Sequence, residues 1–157
     1  VNYIDIHYKV DHEGRVITDP LPTENIRNKF GKFGIARIMS KTDIIQREVN
    51  NLYWTIHKYI LENELGILPV NVLKDIAKLK TKEGQKNVLK KWTLDQLGMD
   101  IHGEAITAGY SLSGADNDCY IDIVSQTLEL YKDYGFDINH FREEQNTVRV
   151  MMGKEPI

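Results

Sequence analysis

Apolar residues along this chain follow two rhythms, one of period two near the start and one of period three to four through the middle. Each predicts a different backbone. From Tyr3 to Val10 the positions alternate strictly, with Ile4, Ile6, Tyr8 and Val10 on one side and Tyr3, Asp5, His7 and Lys9 on the other. That is the pattern of a half-buried strand. Asp11-His12-Glu13-Gly14 then turns the chain, Gly14 supplying the left-handed backbone that a hairpin closure requires. Arg15 to Thr18 returns as a second strand, ended by Asp19-Pro20-Leu21-Pro22.

The helical rhythm starts after this hairpin. Thr23 and Glu24 open a short helix to Phe30, stopped by Gly31, and residues 32–39 fit strand or helix equally. A longer helix is started by Ser40 or Thr42 and ended by Gly66, because Ile45, Val49, Leu52, Ile56 and Tyr59/Ile60 recur at spacings of four and three. Asn71 is the expected cap of a helix carrying Val72, Leu73, Ile76, Ala77 and Leu79, and Thr81 the cap of one carrying Val88, Leu89 and Trp92. Thr93-Leu94-Asp95-Gln96 has capping-box spacing, which predicts a separate short turn before Gly98. Asp116, Asn117 and Asp118 give an acidic start to a helix with the face Tyr120, Ile123, Val124, Thr127, Leu128, Tyr131 and Tyr134, stopped by Gly135. Residues 137–145 suit a helical turn, and the β-prone run 147–152 predicts a strand that returns to the hairpin. The expected fold is therefore α+β, one domain over residues 1–157. A small antiparallel sheet, the N-terminal hairpin plus the C-terminal strand, is covered by four or five helices.

Composition narrows the class. With 157 residues, 41% hydrophobic and 27% charged, the chain can bury a core and is not disordered throughout. No apolar run approaches the roughly twenty residues of a bilayer span, and the first residues, VNYIDIHYKVDHEG, lack a signal-peptide core. A cytoplasmic protein with no membrane contact is expected. A lone cysteine, Cys119, excludes an internal disulfide and any C-x-x-C site. The net charge of −3 hides an uneven distribution. Between Val70 and Trp92 seven lysines stand against Asp75 and Glu83, a balance of +5, whereas from Thr93 to Gln145 eleven acids stand against Lys132 and Arg142, a balance of −9. Solvated helix faces account for such runs, and so does a dipolar binding surface.

Groups able to do chemistry concentrate in the long polar stretch 98–117 and just beyond it: His102, Glu104, Tyr110, Ser111, Ser113, Asp116 and Asp118. Loops of that length are usually functional or disordered. His102-Gly103-Glu104 has the H-x-E spacing of zinc deaminases, but their metal shell also requires P-C-x-x-C, which is missing. His102, Glu104, Asp116 and Asp118 are the candidate catalytic groups of a metal-assisted hydrolase. Helix capping explains the two aspartates with fewer assumptions, and no metal or other cofactor is expected. No nucleophile elbow surrounds Ser111 or Ser113, and no phosphate-cradling glycine motif occurs. Tyr110, Ser111 and Ser113 are read as contact residues.

A second constellation is the tandem Lys29-Phe30-Gly31-Lys32-Phe33-Gly34. Cations hold phosphates and aromatic faces stack on bases, so Lys29, Phe30, Lys32 and Phe33, joined by the lysines from Lys78 to Lys91, suit a nucleic-acid surface. The competing reading packs both phenylalanines under the sheet and leaves the lysines wet. The leading functional expectation is a small non-catalytic binding or accessory protein, of the inhibitor, immunity or mobile-element type, using the long loop 98–117 and the acidic half in protein–protein contact. Nucleic-acid binding comes second and the small hydrolase third.

Overall fold

A computed structural model describes residues 3–99 and 117–157 and divides the chain into two units, Val1–Ile38 and Met39–Ile157. Among the described residues are a two-stranded antiparallel sheet and six α-helices, so the α+β class holds.

In the first unit the turn is built by one side chain. The Asp11 carboxylate accepts from the backbone N–H groups of Glu13 and Arg15, both at 2.9 Å, and from the Arg15 Nε at 3.0 Å. These bonds, led by the Arg15 backbone N–H, hold the Asp11 carboxyl below its usual range. Gly14 sits at φ +80°, where a Cβ would be strained. The turn pairs β1 (Tyr8–Val10) with β2 (Val16–Thr18), and Lys9 lies opposite Ile17. The first strand is shorter than its alternation predicts. Tyr3, Ile4 and Ile6 are half-buried outside any strand, and every residue of β1 and β2 is exposed. Two strands alone are a marginal sheet, which fits pairing that extends only as far as the turn enforces it. α1 (Thr23–Phe30) begins after Pro22 without a side-chain cap, so Thr23 is its first residue and not its cap, and Gly31 ends it.

The second unit starts with α2 (Lys41–Asn63), capped by the Ser40 hydroxyl accepting from the Asp43 N–H at 3.1 Å. Its apolar stripe, Ile45, Val49, Leu52, Ile56 and Ile60, is buried as the spacing predicts. A single 3-10 turn (Leu65–Ile67) leads to α3 (Val70–Ala77). Pro69, not Asn71, precedes that helix: its fixed φ and missing N–H suit a helix entry. α4 (Lys82–Gln96) is capped by Thr81, whose hydroxyl accepts from the Gly84 N–H at 3.1 Å. The separate turn expected at Thr93 does not form. Trp92, Thr93 and Leu94 are all buried and continue α4, and the Thr93 hydroxyl donates to the Leu89 carbonyl at 2.8 Å. Burial has overridden the local cap signal.

α5 (Asn117–Asp133) is followed by a 3-10 turn (Ile138–Phe141) and α6 (Arg142–Met151). The C-terminal strand is thus corrected to a helix. Glu143 and Glu144 favour a helix start there, and Gln145 and Val148, three residues apart, turn one face to the core. The Gln145 amide donates to the Ser125 hydroxyl at 2.9 Å. β-propensity at Val148 and Val150 loses to these contacts.

α2 packs against α4, α5 and α6, and α3 packs on α4. At the centre lies His57, fully buried, with Nδ1 2.8 Å from the Tyr131 hydroxyl of α5. Tyr53 meets its ring edge-on at 4.5 Å between centroids. Burial, reinforced by the charges of Lys90 and Lys86, pushes the imidazole pKa down to about 3. The unfolded chain protonates His57 near its ordinary 6.5, whereas the fold resists protonation down to about 3. This contribution to stability is therefore complete above pH 6.5 and is lost as pH falls towards 3. Denaturant unfolding from pH 7 to 4 should show stability falling by up to about 1.4 kcal/mol per pH unit more than in a His57→Phe variant. Parallel curves for the two proteins would refute it.

Candidate functional site

Of the residues singled out by sequence, His102, Glu104, Tyr110, Ser111, Ser113 and Asp116 lie outside the described residues. Asp118 is described. It stands exposed in the first turn of α5, its carboxylate 3.1 Å from the Lys154 ammonium. Cys119 beside it is half-buried. Among the described residues no group of three His, Cys, Asp or Glu is placed to hold a metal ion. His140 stacks on Tyr59 at 4.1 Å between centroids, within a cluster that includes Phe136 and Phe141. These contacts serve packing.

Among the described residues, two regions present chemistry to solvent. The first is the segment that follows α1. Residues 31–38 form neither helix nor strand, and Phe33, Ile35 and Ile38 are 93%, 87% and 69% exposed, with Phe30 at 41%. The phenylalanines do not pack under the hairpin. Lys29 lies 5.8 Å from the Phe30 ring centroid and donates to the Tyr3 carbonyl at 3.3 Å. Lys32 and Arg37 are exposed, and no carboxylate occurs between Glu24 and Asp43. The segment is thus a row of wet apolar side chains interleaved with cations. The strand or helix expected over residues 32–39 does not form: Gly31 and Gly34 interrupt the segment, and apolar positions compatible with both periods commit it to neither.

The second is a basic seam on the other unit. Trp54, Lys58 and Glu62 recur every fourth residue on α2, and Lys82, Lys86 and Lys90 do the same on α4, so each set forms one stripe. The stripes run antiparallel. Glu62 pairs with Lys82 at 3.0 Å at one end, while Lys86 and Lys90 approach the Trp54 ring at 5.7 and 5.8 Å at the other. Between them is a groove of about 250 Å³ lined by Lys58, Leu61, Glu62, Lys82, Gln85 and Lys86. The Lys82 hydrogen bond, aided by the Lys58 charge, keeps the Glu62 carboxyl below its usual range. The remaining lysines of the basic run, Lys74, Lys78, Lys80 and Lys91, are exposed. Sequence reasoning found the lysines but missed Trp54, their aromatic partner. Its signal was the shared spacing of four on two separate helices.

Compared with models of known protein families, with curated proteins and with solved structures, the chain matches none.

Beyond Gly31, whose N–H closes α1 by donating to the Arg27 carbonyl at 2.9 Å, residues 32–38 belong to no helix or strand, so no ladder shields their backbone. Trypsin under native conditions should therefore cut after Lys32 and Arg37 before it cuts after Lys90 or Arg149, which lie in helices. Mass spectrometry of early digests checks the order, and first cuts within α4 or α6 would contradict the reading.

Proposed function

We propose that this chain is a non-catalytic binding protein that docks segment 30–38 on an acidic protein surface bearing an apolar cleft. The supporting observation is the exposure of Phe33, Ile35 and Ile38 together in a stretch of cations without a carboxylate. Burying one such side chain at an interface recovers about 1.5–3 kcal/mol, and a few anchors of this kind carry most of the energy of an interface. Lys29, Lys32 and Arg37 supply the complementary charge, which steers encounter and sets register. A protein partner is preferred here to nucleic acid because Ile35 and Ile38 have no face that stacks on a base. An irregular, exposed segment also fits the extended peptides that partners recognise through alternate side-chain pockets. This is the behaviour of an accessory protein of the inhibitor, immunity or mobile-element type, and a cytoplasmic setting goes with it.

A photo-crosslinking phenylalanine analogue at position 33 identifies the partner, and titration calorimetry with that partner tests the site. Phe33→Ser and Ile35→Ser should each weaken binding at least about tenfold without moving the thermal midpoint, and added salt should weaken it further. Ile17→Ser, at another exposed isoleucine, should leave it unchanged. Undiminished binding in both segment variants would refute the proposal, as would turnover of a substrate by the purified protein.

A further inference from the structure

We infer that the groove between α2 and α4 binds a nucleotide unit, with the phosphate held by Lys58, Lys82 and Lys86 and the base stacked against Trp54. The groove lies apart from segment 30–38 in sequence and rests on different observations, so either proposal can fail alone.

Four features carry it. Among the described residues, three lysines line one small space whose one lining carboxylate, Glu62, is already paired with Lys82. The lining is therefore cationic, and an anion placed there meets charge complementarity from both helices. Lys82 and Lys86 are one helical turn apart, about 6 Å along α4, so both ammonium groups reach one phosphate from the same helix face. Trp54 supplies the stacking surface. It is half-buried, and its edge-on contacts with Tyr53 at 5.4 Å and His57 at 5.9 Å fix the indole from the core side. Bases stack on such rings whatever their identity. Finally, a groove of about 250 Å³ is smaller than the usual site for a cofactor-sized ligand, so it suits one phosphate and its sugar, with the base reaching beyond the groove to Trp54, which adjoins it through Lys86.

The Lys86 ammonium now resting on the indole has a second place to go. A cation over an aromatic face at an exposed site is held weakly, less firmly than by a charge-assisted bond to a phosphate. Lys86 can therefore leave the ring for the phosphate, and Lys90, also 5.8 Å from the ring centroid, must swing aside as well for the base to take their place.

Fluorescence anisotropy with a labelled oligothymidylate of about ten nucleotides tests this on the full chain, with adenosine monophosphate and polyglutamate as competitors. The oligonucleotide should bind at low salt, and its affinity should fall linearly with salt on logarithmic axes. Lys58→Gln and Lys86→Gln should each flatten that slope by about 0.7, while Lys132→Gln, at an exposed lysine of α5, leaves it unchanged. Trp54→Leu should weaken binding about tenfold, and Trp54→Phe, which keeps an aromatic face, should restore most of it. Competition by the monophosphate at the oligonucleotide's own affinity would assign a free nucleotide as ligand; much weaker competition would assign a strand. No binding at low salt, equal competition by polyglutamate, or a Trp54→Leu variant that binds and folds as the parent does would each overturn the inference.

Discussion

A histidine buried without charge at the meeting point of α2 and α5 constrains every helix around it. His57 must satisfy at least one ring nitrogen inside the protein, and Tyr131 does so across the α2–α5 contact. Such a bond is worth about 1 kcal/mol net, but leaving its partners unpaired in the core costs about 1–3 kcal/mol each. The pairing therefore fixes register more than it adds stability: sliding α5 by one residue would carry the Tyr131 hydroxyl to another side of its helix. His57 Nε2 and the Thr127 hydroxyl have no hydrogen-bond partner among the described residues, so the rings packed around the imidazole bear more of the work. Tyr53, Trp54 and Tyr131 all meet it edge-on, a geometry worth about 0.5–1.5 kcal/mol per pair beyond area burial.

The first unit is governed by the opposite condition. Its strands and α1 contribute no buried residue, so local geometry, not packing, sets their form. The hairpin exists where the Asp11 carboxylate and Gly14 close it, and α1 ends where Gly31 takes φ +89°. Apolar side chains left wet by such a segment are costly unless something covers them. That is the physical basis for reading Phe33, Ile35 and Ile38 as contact residues and not as a failed core.

What the sequence made legible follows from the same contrast. α2 and α5 could be placed from spacing alone because each buries a stripe at intervals of three and four, and Thr81 could be named as a cap, whereas Ser40 was one of two candidates with Thr42, and at Thr23 and Asn71 a neighbouring proline took the position before the helix. The run 147–152 was misread for the complementary reason. Its β-branched residues are a local signal, whereas the helix there is decided by Gln145 and Val148 meeting α5 and the core, contacts that no window of sequence contains. Thr93 failed likewise, since its capping-box pattern was outweighed by burial of Trp92 and Leu94. At the site, the cations of both surfaces were visible as composition. Trp54 was not, because it stands more than thirty residues from Lys86 in sequence and joins it only through the pairing of α2 with α4.

That pairing also links the surface to the core. Lys86 and Lys90 lie over Trp54, and Trp54 lies against His57, so the positive seam sits one ring away from the buried imidazole. The two lysines add to desolvation in keeping His57 neutral. Neutrality in turn lets α2 and α4 approach closely, since a charged imidazole would repel the very lysines that line the groove. An anion on the seam would offset part of the lysine field and make the imidazole easier to protonate. By linkage, a protonated imidazole would then favour the anion. Burial against α5 does most to keep His57 neutral, and the lysines of α4 add to it, so the core's response to pH and the charge of the seam are coupled through Trp54.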